Sequence, residues 1–104
     1  MAADGSRIRL DLNSPEFQDV FFRLQADDLK HVAASLRRLR ELAWQDLYRH
    51  TGFQWEAIHQ LTAPNGAKVY SLRLGQKARA LAFRDGAFLR VISLHLDHDS
   101  AYGR

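Results

Sequence analysis

Between Ala78 and His95 the chain reads ARALAFRDGAFLRVISLH, two alternating runs on either side of Asp85-Gly86. Asp-Gly between such runs is the strongest short-range signal for a β-hairpin, so two adjacent antiparallel strands are required here. With Asp85-Gly86 as the loop, Phe83 is expected opposite Phe88, Leu81 opposite Arg90 and Arg79 opposite Ile92. The other face then pairs Ala82 with Leu89 and Ala80 with Val91. Small alanines opposite Val and Leu mark the side on which helices can pack closely. On the open face this register makes Arg79 and Arg90 diagonal neighbours, within reach of one phosphate. His95 would end its strand pointing the same way as Val91 and Ser93.

A hairpin needs more chain to bury it, and the flanking segments supply it. Tyr70, Leu72 and Leu74 alternate with Ser71, Arg73 and Gly75, a further half-buried strand. Ala63-Pro64-Asn65-Gly66 is a turn by composition, preceded by an extended segment from Phe53 to about His59. Near the N-terminus, Ile8, Leu10 and Leu12 alternate with Arg9 and Asp11 as a short strand. Ser14-Pro15 then opens a helix through Leu24, since the hydroxyl caps a free N–H and proline suits the first helical position. A second helix begins at Asp27, with Leu29, Val32, Leu36, Leu39 and Ala43 on one stripe. Its Lys30, Arg37, Arg38, Arg40 and Glu41 form a solvated exterior.

The expected architecture is α+β: an N-terminal strand, an α-hairpin, then a C-terminal antiparallel sheet of three to four strands covered on one face by the helices. The 104 residues, 46% hydrophobic and 26% charged, suffice for one domain over 1–104, with residues 1–6 expected to be disordered. Without cysteine there is neither a disulfide framework nor a thiolate metal site, which suits a reducing compartment. No apolar run approaches the ~20 residues of a membrane span and no signal core opens the chain. A soluble, cytoplasmic protein is the expectation.

The net charge is only +3, but Lys68, Arg73, Lys77, Arg79, Arg84 and Arg90 gather within one segment, opposed by Asp85 alone. Such a basic face attracts polyanions. Beyond it lies His95-Leu-Asp97-His98-Asp99-Ser-Ala-Tyr102. Arginine grips phosphate through parallel hydrogen bonds, and imidazole titrates near neutral pH, so Arg79 and Arg73 suit charge stabilisation and His95 and His98 suit acid–base roles. Asp97 and Asp99 could fix the His98 tautomer, and Tyr102 could stack on a base. Glu56 is a weaker candidate base. The same tail has donors suited to zinc or manganese, but crowded into five residues with no distant partner cluster, so neither metal nor cofactor is expected.

Leu-Arg-Leu-Gly at 72–75, Ala-Arg-Ala-Leu-Ala-Phe at 78–83 and the His95–Tyr102 tail, with Trp44-Gln-Asp-Leu-Tyr48 and Gly52-Phe-Gln-Trp-Glu56, resemble the RelE/ParE superfamily of toxin–antitoxin toxins, in its branch of RelE-like translational repressors. The resemblance implies an endoribonuclease that cuts mRNA, ribosome-dependently, by metal-free attack of the 2′-hydroxyl on its own phosphate. It places Arg73 and Arg79 at the phosphate and Tyr102 where a C-terminal tyrosine stands. Lys77, Arg90 and Lys68 extend the expected RNA surface. Implied partners are a cognate antitoxin in a hetero-oligomer, mRNA and the ribosome. Two departures stand out: Ser71 replaces a frequent basic residue, and the His-Asp tail replaces an arginine. A gyrase-directed, ParE-like toxin without nuclease activity, or an inactive RNA- or protein-binding relative, are the alternatives.

Overall fold

The computed structural model describes residues 5–97. A five-stranded sheet runs in the order β1-β5-β4-β3-β2, with β1 (Arg9–Asp11) parallel to β5 (Phe88–Leu96). The strands β2 (Glu56–Thr62), β3 (Lys68–Arg73), β4 (Ala78–Asp85) and β5 form an antiparallel meander. Three helices lie between β1 and β2: α1 (Pro15–Phe21), α2 (Ala26–Leu39) and α3 (Trp44–Arg49), followed by a 3₁₀ turn at Thr51–Phe53. The expected α+β arrangement is the one observed. Of the segment expected to lack order, Ser6 is described, and its carbonyl accepts from the Trp44 N–H at 3.0 Å. No helix among the described residues is long and apolar enough to cross a membrane.

The helices cover one face of the sheet. Val32, Leu36 and Leu39 of α2, Phe17 of α1 and Trp44 and Leu47 of α3 are buried with Leu72, Leu74, Ala78, Ala80, Ala82, Leu89, Val91 and Leu94 of the sheet. The three alanines of β4 let helix side chains approach the backbone closely. Fully burying a Leu, Val or Phe side chain contributes roughly 1.5–3 kcal/mol, so this face supplies most of the stabilisation.

Several expectations need correction: α1 ends at Phe21 and not at Leu24, and Phe53 closes the 3₁₀ turn, so that the extended segment begins at Glu56. Leu29 is 37% exposed and Ser35 takes its place in the buried arc. The stripe also stops before Ala43, because the helix ends at Leu39. The next residues turn back to the N-terminus, where the Ile8 N–H donates to the Leu42 carbonyl at 3.0 Å and Arg7 bridges Ala43. Trp44 therefore starts a separate helix; its indole N–H donates to the Ala87 carbonyl at 3.1 Å, tying α3 to the hairpin end.

The hairpin register also differs from expectation. Asp85 pairs with Phe88, Phe83 with Arg90 and Ala82 with Val91, so the loop is Gly86-Ala87. Gly86 has φ of +63° and Ala87 does not take positive φ, a pattern suited to a turn with glycine first. Beyond Val91 the register shifts: Leu81 pairs with Ser93, Ala80 with Leu94 and Arg79 with His95, leaving Ile92 as the extra residue of a β-bulge. The core positions of β5 are accordingly Leu89 and Val91 before the bulge and Leu94 after it. The bulge turns Ser93 and His95 to the face opposite Val91.

Candidate active site

The open face of the sheet holds a transverse row contributed by three strands. Arg73 of β3 stands opposite Arg79 of β4, and Arg79 stands opposite His95 of β5. Directly opposed residues share a face, so two guanidiniums and an imidazole lie side by side on rigid backbone. The next row toward the hairpin is Glu56, Ser71, Leu81 and Ser93. A shallow cavity of about 360 Å³ spans both rows, lined by Ser71, Arg79, Leu81, His95 and Asp97 among others. The Asp97 N–H donates to the Lys77 carbonyl at 2.6 Å.

The two arginines differ in freedom. Arg73 donates through Nη1 to the carbonyls of Gly75 at 3.2 Å and Gln76 at 2.8 Å, and through Nε to Gln54 Oε1 at 3.3 Å. It thus braces the β3–β4 turn, with Gln54 held in the left-handed region at φ of +48° just past the 3₁₀ turn. Arg79 donates through Nη2 to Ser71 Oγ at 2.8 Å, and its other donors meet no partner among the described residues. His95 is exposed, with Nε2 at 2.8 Å from Ser93 Oγ.

Three cations expected near this row lie elsewhere or face outward. Arg90 is opposite Phe83, four residues along β4 from Arg79 and so about 13 Å away. The expected diagonal pairing of Arg79 and Arg90 is therefore absent. Arg90 instead donates through Nε to Asp85 at 2.8 Å and through Nη1 to Asp11 at 2.5 Å. These carboxylates, Asp85 foremost, raise its pKa further. The Asn13 backbone N–H, then Arg90, hold the Asp11 carboxyl below its ordinary range. Lys68 begins β3 five residues before Arg73, about 16 Å off, and alternation sets it on the helix side. Lys77 is exposed in the β3–β4 turn, where it lines a separate cleft with Asp27, Asp28 and His31 of α2. His98, Asp99 and Tyr102 lie outside the described residues.

Sequence reasoning passed over Ser71 and Ser93 as site residues, and the bulge that faces His95 outward. A signal was present: the apolar spacing Leu89, Val91, Leu94, Leu96 skips one residue between the second and third positions. Among the described residues, no three His, Asp or Glu side chains converge as a metal ion requires.

No known family's sequence profile matches the chain, and no curated protein does. Its fold is similar to a chain in the crystal structure of an archaeal RelE-RelB complex from Pyrococcus horikoshii OT3, with a TM-score of 0.57. That similarity covers 89% of this chain and 96% of the other. The fold is RelE-like. At 13% sequence identity the likeness resides in the path of the backbone, and a RelE-like sheet built from other side chains carries the site described above.

Proposed function

We propose that the chain is the toxin of a toxin–antitoxin pair and cleaves RNA at the Arg79–His95 row. The observation that carries this reading is the direct cross-strand pairing of Arg79, with donors to spare, and an exposed imidazole on the open sheet face. In the proposed reaction neutral His95 takes the proton of a ribose 2′-hydroxyl. The 2′-oxygen attacks the adjacent phosphorus, the bond to the 5′-oxygen breaks, and a cyclic phosphate and a 5′-hydroxyl result. Arg79 offsets charge growing on the phosphoryl oxygens, and Arg73 contributes its field from the next strand. His98 and Tyr102 are the candidates to protonate the leaving oxygen. The structure of similar fold was solved as a RelE-RelB complex, which supports a cognate antitoxin as partner. Messenger RNA on the ribosome is the proposed substrate.

Inducing the protein and mapping new mRNA 5′ ends tests the reading. Wild type should produce ends at ribosome-occupied codons, and Arg79→Ala should cut the cleavage rate by roughly 10²–10³, the usual cost of losing one transition-state donor. His95→Ala should cost about 10²–10⁴. Growth arrest with intact messages would overturn the proposal, and gyrase-linked DNA breaks in their place would favour the ParE-like alternative.

A further inference from the structure

We infer that Ser71 and Ser93 are the positioning residues of the site, one aiming Arg79 and the other selecting the reactive nitrogen of His95. The inference rests on the reading of Arg79 and His95 as the RNA-cleaving pair. Both serines lie in the row next to that pair, on either side of Leu81, and each reaches one member of it.

Ser71 is a polar residue on an interior strand and is 3% exposed. A buried hydroxyl is costly without a hydrogen bond, and the Arg79 guanidinium supplies one at 2.8 Å. Only one N–H of Nη2 is engaged, so the guanidinium is oriented while one two-donor edge, the second Nη2 N–H together with Nε or Nη1, stays available for two parallel bonds to a phosphate. Arg73, whose Nε and Nη1 are spent on Gln54 and the β3–β4 turn, has no such free edge. The sheet thereby makes two similar residues unequal, and Arg79 is the one poised for phosphate.

Ser93 acts on the imidazole. With Nε2 bonded to its hydroxyl, Nδ1 is the ring nitrogen left to meet a 2′-hydroxyl. When Nε2 carries the proton and donates it to Ser93, Nδ1 is the acceptor and the base is ready. The charged groups around the ring are Arg79 across β4, Arg73 beyond it, and Asp97 two residues further along the chain, which lines the same cavity. None of these replaces the Ser93 contact to Nε2.

Nitrogen-15 NMR of histidine-labelled protein reads the tautomer directly, with His95→Gln assigning the signal among the five histidines. Wild type should show neutral His95 almost wholly with Nε2 protonated, Ser93→Ala should relax to the mixture of tautomers of a free histidine measured alongside, and Ser93→Thr should restore the wild-type state. In single-turnover RNA cleavage, Ser93→Ala and Ser71→Ala should each slow the reaction about tenfold, the loss expected for one hydrogen bond. For Ser71→Ala the weakening should appear equally in affinity for a non-cleavable 2′-deoxy oligonucleotide, while unfolding temperature confirms an intact fold. An unchanged tautomer in Ser93→Ala, or full activity and affinity in Ser71→Ala, would overturn the inference. A tautomer shift in a protein that cuts no RNA would sink the proposed function and leave the Ser93 assignment standing.

Discussion

Arg90 is charged, lies on the open face and sits in the most basic part of the sequence, yet its charge is consumed locally. Asp85 comes from its own hairpin and Asp11 from the N-terminal strand, 79 positions away in the chain. A charge run in a sequence does not reveal such a partner, which is why Arg90 read as a phosphate ligand. The pairing predicts a pH signature. Because the folded-state pKa of Asp11 lies below its unfolded value, its contribution is fully present above about pH 4 and disappears as pH falls through the folded pKa. Asp11→Asn should therefore lower the unfolding temperature by a few degrees at neutral pH, and the gap from wild type should close in acid. Thermal unfolding followed from pH 7 to pH 2 checks this; a gap independent of pH would assign the effect to packing instead.

At the scale of elements, the bulge in β5 decides which chemistry reaches the open face. Without the extra residue at Ile92, strict alternation would keep His95 on the side of Val91, under the helices. The bulge interrupts the ladder, and the Ser14 hydroxyl meets the Ile92 carbonyl at 2.6 Å. The same oxygen accepts from the Phe17 N–H at 3.4 Å as the N-cap of α1, so one side chain starts a helix and secures the bulge. Ser14→Ala should destabilise the fold by about 1–2 kcal/mol, from the lost cap and the orphaned carbonyl together. It should also speed amide exchange through Ile92–His95 more than in β3, which hydrogen-exchange mass spectrometry resolves; uniform acceleration would mean that Ser14 serves only as a cap. The strands, helices α1 and α2 and the small-residue face were legible because periods of 2 and 3.6 survive in the residues themselves. The hairpin register was not, because a one-residue slip leaves local composition unchanged; the bulge left only the skipped residue between Val91 and Leu94 as its trace, and its place is held by the long-range contact of Ser14 to Ile92.

Across the whole molecule, the helices claim one face of the sheet and the open face divides in two. One half carries Arg73, Arg79 and His95. The other is largely apolar, with Ala63, Val69 and Phe83 packed against Ala67, Leu81 and Ile92, and it forms a groove of about 560 Å³ rimmed by Leu61, Pro64 and the Asp11–Arg90 ion pair. Under the proposed function an antitoxin has reason to use both halves, anchoring side chains in the groove while its chain shields the basic row. Leu61 separates the two roles. It is 44% exposed at the irregular end of the edge strand β2, away from the row, and nothing in the proposed chemistry uses it. Burying a leucine contributes roughly 1.5–3 kcal/mol, and each ~1.4 kcal/mol is tenfold in affinity. Leu61→Asp should thus weaken binding of the cognate antitoxin by about tenfold or more, measured by calorimetry, while RNA cleavage by the free protein stays within about twofold of wild type. If antitoxin affinity is unchanged, the groove is not its seat; if cleavage falls as well, the two halves of the open face are not independent.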